Sequence, residues 1–144
     1  YKGAAAVSIP LASKGDLGTD GKVNWRYAAG TPYVPSPVLV KDKLYFTALN
    51  GEALTILDAK TGKPELELER LPQAKSFYGS PVTAAGRVYF TDRSGTTVVL
   101  KAGSGTLDVL SVNKLNEPID ASPVLVGKQL FLRGDRCLYC IEEK

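Results

Sequence analysis

The feature that most constrains this chain is a repeat. SPVTAAGRVYFTDRSGTTVVLKAGSGTLDVLSVNKL, residues 80–115, is one copy. SPVLVKDKLYFTALNGEALTILDAKTGKPELELERL, residues 36–71, is another, and SPVLVGKQLFLRGDRCLYCIEEK, residues 122–144, begins a third. The Ser-Pro-Val starts fall at Ser36, Ser80 and Ser122, so the spacings are 44 and 42 residues. A unit recurring at this period cannot bury its apolar face alone, so neighbouring copies must stack.

Each unit breaks into short β-type runs. In the first they are 37–40, 43–49, 53–59 and 64–71; in the second, 81–85, 87–93, 96–102 and 107–115. Asn50-Gly51, Ser94-Gly95 and Gly103-Ser104-Gly105 separate them, and these residue types tolerate the positive φ of tight hairpins. Asp58 ahead of Thr61-Gly62 suits a turn whose carboxylate accepts local backbone N–H groups. Residues 64–71 alternate Glu and Leu at period two, which marks a half-exposed outer strand and not a helix. The third unit supplies 123–127, 129–134 and 137–143 and has no fourth run. Upstream, 4–10 and 23–29 are expected strands around a loop rich in Gly and Asp.

Four short strands per unit at this spacing are the mark of propeller blades. The expected fold class is all-β: β-propeller blades, four-stranded antiparallel sheets, about three blades' worth in an incomplete ring. Residues 1–35 would end one blade, 36–79 and 80–121 would be full blades, and 122–144 an incomplete last blade. An unclosed ring leaves sheet edges that invite pairing. The closing partner would be the remaining blades of a longer chain or a second copy, a homo-oligomer in which 23–27 of one copy supplies a missing outer strand.

Composition narrows the chemistry. With 44% hydrophobic and 23% charged residues the chain has the composition of a soluble globular domain. The net charge of +3 is scattered, with no Lys/Arg run that would mark a nucleic-acid or membrane surface. No apolar stretch has the length of a membrane span. His is absent, which removes the usual general base and the commonest metal ligand together. Met is absent too, which implies a processed product or a piece of something longer; residues 4–7 are too short an apolar run for a secretory signal.

The candidate chemical residues each have a plainer reading. Cys137 and Cys140 have metal or redox spacing, but lie in an expected strand, where residues three apart point to opposite faces. They are expected to be small core residues. Asp16, Asp20 and Asp92 could ligate calcium, yet lack the alternating spacing of a calcium loop and suit turns. Ser36, Ser80 and Ser122 have no His to activate them and are expected at structural blade starts. No catalytic, cofactor-binding or metal residue is assigned. Tyr33, Phe77, Tyr78 and Arg133, near strand ends or in the loops between units, form the possible ligand or partner face. Packing between blades is the alternative for each.

Asp58-Ala-Lys-Thr-Gly62, with an apolar position four residues on, resembles the repeat of pyrroloquinoline-quinone-type propellers, A-x-D-x-x-T-G-x-x-x-W. The Trp is kept at Trp25 and replaced by Leu66 and Val109; Lys101 replaces the turn Asp. The resemblance covers residues 13–142. It implies a secreted or periplasmic propeller, similar to the outer-membrane-assembly lipoprotein and the quinoprotein alcohol dehydrogenases. In that family the blade-ending Trp packs between blades, and the N-terminus supplies the last blade's fourth strand. The dehydrogenases' adjacent Cys pair has no counterpart, and the one Trp belongs to a repeat, so no cofactor is expected. The implied function is a non-catalytic scaffold for protein or peptide partners; the alternative is a fragment of a quinone-dependent dehydrogenase.

Overall fold

The computed structural model describes residues 4–17, 23–49 and 51–142. Their regular structure is all β, as the alternation predicts. β1 (Ala6–Ser8) and β2 (Trp25–Tyr27) form an antiparallel pair. β3 (Val38–Val40), β4 (Lys43–Thr47), β5 (Ala53–Asp58) and β6 (Pro64–Arg70) form a four-stranded sheet in chain order. β7 (Val82–Ala84), β8 (Arg87–Thr91), β9 (Thr96–Lys101) and β10 (Val109–Lys114) form a second. β11 (Val124–Val126), β12 (Gln129–Arg133) and β13 (Leu138–Glu142) form a sheet of three. The expected strand at 23–27 is thus paired within its own chain, Ala6 opposite Tyr27. Asp20 and Asn50 lie outside the described residues.

Register explains how the sheets stack. Val38, Tyr45, Ile56 and Leu66 lie opposite one another across the first complete sheet. Period two puts them on one face. They pack in one core with Val88, Phe90, Val98, Leu100 and Val112 of the second complete sheet. The opposite face of the first sheet, Leu44, Phe46 and Leu57, packs on Ala6, Trp25 and Tyr27 of the strand pair. The apolar core therefore lies between sheets, with β3, β7 and β11 running side by side along one edge.

The three serines tie that edge together. The Ser36 N–H donates to Ser80 Oγ at 2.8 Å, and the Ser80 N–H to Ser122 Oγ at 2.8 Å. Each hydroxyl clasps the start of the preceding sheet, so a residue placed at a blade start also sets the spacing between blades. At the opposite edge Asp58 caps its turn as expected: Oδ1 accepts from the Thr61 N–H at 2.8 Å and the Thr61 hydroxyl at 2.7 Å. These bonds favour the ionised carboxylate and lower its pKa. Gly62 closes the turn at φ 70°, and a Cβ there would strike the Trp25 indole. That indole donates to the Ala59 carbonyl at 2.9 Å, across from one sheet to the next.

Candidate functional site

The loops that lead into β3, β7 and β11 meet the turns β4–β5, β8–β9 and β12–β13. Backbone bonds join them into a belt. Leu49 donates to the Thr31 carbonyl, Gly51 pairs with Ser76, Arg93 donates to the Ser76 carbonyl, and Ile119 donates to the Arg93 carbonyl. Loops bound to one another in this way present side chains in fixed positions.

Two buried carboxylates secure the belt. Asp92, 0% exposed, accepts from the Lys75 N–H at 3.0 Å and from Ser94 and Thr96 of its own turn. Glu117, 2% exposed, works in the opposite direction, from loop to turn. It accepts from the Arg136 N–H, from the Cys137 N–H at 3.1 Å and from the Tyr139 hydroxyl. The Tyr139 hydroxyl and the Arg136 N–H hold the Glu117 carboxyl below its ordinary pKa. The same carboxylate, with burial, pushes the Tyr139 phenol up to about 12. Met by these donors, the Glu117 carboxylate is held in its ionised form.

On this frame Arg93 projects outward. Its guanidinium binds Asp120 with both teeth, Nε to Oδ1 at 2.6 Å and Nη2 to Oδ2 at 3.1 Å. It lies 3.9 Å from the centre of the Tyr78 ring. Arg93, Tyr78 and Asp120 come from one turn and the two loops beside it, and all three remain partly exposed. The Arg93 bonds lower the Asp120 pKa, so both charges persist together.

The residues singled out from sequence divide here. Tyr78 is in this cluster. Arg133 is exposed at the neighbouring β12–β13 turn, whose Asp135 is close enough to favour the Arg93 charge. Phe77 is not on the face: it is 1% exposed and meets Phe90 edge-on, 6.2 Å between ring centroids. Tyr33 is 53% exposed, although Phe77 and Ile119, three residues before their own Ser-Pro-Val, are buried. The difference is positional, since β1–β2 offers only two strands where each later loop has a complete sheet behind it. Trp25, Asp58, Gly62 and the three serines all hold sheets or turns together. Arg93, Asp120 and Glu117 were invisible in sequence because their partners lie 15 or more residues away along the chain, Asp120 being 27 residues from Arg93 and Tyr139 22 from Glu117.

The cysteine expectation is corrected. Both thiols are exposed. Cys137 is in the β12–β13 turn, and Cys140 lies opposite Phe131 and Val124. That row takes the place of Val38, Tyr45 and Ile56, which the second sheet covers; among the described residues nothing covers the equivalent face of the last sheet. Asp92 acts as a turn former, with its oxygens occupied by backbone and hydroxyl donors. Among the described residues, no three His, Cys, Asp or Glu side chains stand where they could hold a metal ion.

No protein-family model and no curated protein matches the sequence. The structure does match solved ones. BamB from Moraxella catarrhalis aligns with a TM-score of 0.67 at 16% identity, over 85% of this chain and 37% of that one. A europium-containing methanol dehydrogenase aligns with a TM-score of 0.53 at 16% identity, over 74% of this chain and 22% of that one. The fold is that of a quinoprotein-type β-propeller. The sheets are its blades, β3, β7 and β11 their first strands, and the chain spans well under two thirds of either propeller it matches. Blades beyond those described are therefore needed to close a ring of this kind.

Proposed function

We propose that the chain is a non-catalytic propeller module that holds a protein or peptide partner on the face built around Tyr78, Arg93 and Asp120. The observation that carries this is the exposed Tyr78–Arg93 stack, fixed by a two-toothed bond to Asp120. Tyr and Arg dominate the energetics of protein interfaces. Holding the guanidinium in place before binding lowers the ordering cost. Tyr33 and Arg133 extend the same set of loops, while Phe77 supports it from beneath.

In this reading residues 36–79 and 80–121 are full blades, 1–35 ends a preceding one and 122–144 begins another. Further blades from a longer chain, or a second copy, close the ring. The setting is periplasmic or secreted, a location suggested by the family resemblance. The competing reading, part of a quinone-dependent dehydrogenase, draws on the likeness to a methanol dehydrogenase.

Two experiments test the proposal. Pyrroloquinoline quinone with calcium should leave the melting temperature unchanged; clear stabilisation overturns the reading in favour of the dehydrogenase. A photo-crosslinking residue at Tyr78 should capture one defined partner in the native host, and Arg93→Ala should abolish that capture. Capture unaffected by Arg93→Ala removes the face from the account.

A further inference from the structure

The face built around Tyr78, Arg93 and Asp120 continues onto the first complete blade. There the β4–β5 turn lies between the loop holding Thr31 and the loop holding Ser76. In that turn the Ala48 N–H donates to the Ala53 carbonyl, as the Asp92 N–H donates to that of Thr96. The next residues, Leu49 and Arg93, each donate to a loop carbonyl, Thr31 and Ser76. Leu49 therefore holds in the first complete blade the place that Arg93 holds in the second. Arg93 remains partly exposed although its blade has a neighbour on either side, so exposure here belongs to the position and not to an end of the chain. Leu49 is 62% exposed, and Tyr33, whose N–H donates to the Leu49 carbonyl at 3.1 Å, is 53% exposed.

Charge around these loops is balanced within them. Arg93 is bound by Asp120, Arg136 favours the ionised Glu117, and Glu52 of the β4–β5 turn pairs with Arg70. Lys75 and Arg133 are offset by Asp92 and Asp135. A partner of either sign therefore gains little from this surface. What it presents is apolar area at Tyr33, Leu49 and Tyr78, beside one edge of Arg93. The bonds to Asp120 use Nε and Nη2, not the two N–H groups of Nη1.

We infer that this face takes an uncharged, extended segment of a partner protein. One branched or aromatic side chain of the segment seats among Tyr33, Leu49 and Tyr78, and one of its main-chain carbonyls accepts from Arg93 Nη1. Packed sheets stand about 10 Å apart and an extended chain advances about 3.3 Å per residue, so anchor and carbonyl lie about three residues apart. The inference rests on the binding-module reading and names the chemistry of its partner.

The test pans phage-displayed random peptides on the whole chain and measures the enriched ones as synthetic peptides in solution. They should share an apolar residue and no charged one. Their affinity should change less than about twofold between about 50 and 500 mM salt. Leu49→Asn should weaken them at least about tenfold, because the apolar contact is lost. Asn suits the Leu49 φ of 53°, so this variant keeps the turn. A charged consensus, a loss of about tenfold in high salt, indifference to Leu49→Asn or no enrichment would each overturn the inference. Peptides that fail in one of these ways but are lost with Arg93→Ala leave the binding-module reading standing. Peptides indifferent to Arg93→Ala remove both.

Discussion

The seam between the two complete blades and the seam between the second and last blades are built from the same repeat but end differently. In the first, Tyr45, Ile56, Phe77, Phe90, Val98 and Leu100 are buried. Tyr45 also reaches across to accept the Gly103 N–H at 2.7 Å. In the second, Tyr89 takes Tyr45's place and lines a cavity of about 220 Å³. The second seam still brings Tyr89, Val99, Leu130, Leu132 and Ile141 together, beside Thr97, Asn113 and Lys114, so both seams hold apolar side chains. The difference is the fourth strand. Within a blade the outer strand contributes little area of its own, yet it closes the rim of the core beneath it.

The largest expected effect contrasts an aromatic side chain inside the sealed seam with one on the bare face. Phe90→Ala should cost about 3–5 kcal/mol, as for a fully buried aromatic. Phe131→Ala, on the bare face of the last blade, should cost less than about 1 kcal/mol. Chemical denaturation of both variants measures the contrast, and equal losses would mean that something covers the last face.

Next comes the Glu117 clasp, which holds the last blade to the second. Its folded-state pKa is depressed, so its contribution is present above about pH 4.3 and lost as pH falls through the depressed value. The Tyr139 phenol is raised, so its contribution is present below about pH 10 and lost as pH rises through about 12. Glu117→Gln should return Tyr139 toward ordinary titration, followed by tyrosinate absorbance, and should loosen the last blade most. An unchanged titration would sever the link between the two groups.

The serine clasps should matter less. Ser80→Ala and Ser122→Ala each remove one acceptor, at about 0.5–1.5 kcal/mol by thermal or chemical unfolding. The smallest effect has the opposite sign. Thr47 and Thr91 occupy equivalent places, but Thr91 meets the Thr97 hydroxyl at 2.9 Å whereas Thr47 faces Leu54 and its buried hydroxyl has no partner. Thr47→Val should leave stability unchanged or raise it by about 1 kcal/mol. Thr91→Val should lower it.

The architecture was legible because strands, turns and stacking are local or periodic. The alternation of 64–71 marked an outer strand, the Asp58–Gly62 turn formed through its own neighbours, and each Ser-Pro-Val leads into the first strand of a sheet. The site was less legible because its bonds join residues far apart along the chain. Nothing near Glu117 in sequence points to Tyr139, 22 residues away. Phe77 and Tyr78 are adjacent and both aromatic; only the direction of the loop sends one inward and the other to Arg93. Cys140 has a core position by pattern and is exposed because its face lacks a neighbour.

The central claim is that, among the described residues, a fourth strand closes the second blade and none closes the last. Native-state amide exchange tests it directly, comparing β9 with β13 in the same molecule. Strand β9 is paired on both sides, so its amides should exchange only with global unfolding. Alternate amides of β13 should exchange far faster, at rates set by an open edge. Equal protection along both strands would show that a fourth strand already occupies the last blade, and would contradict the account.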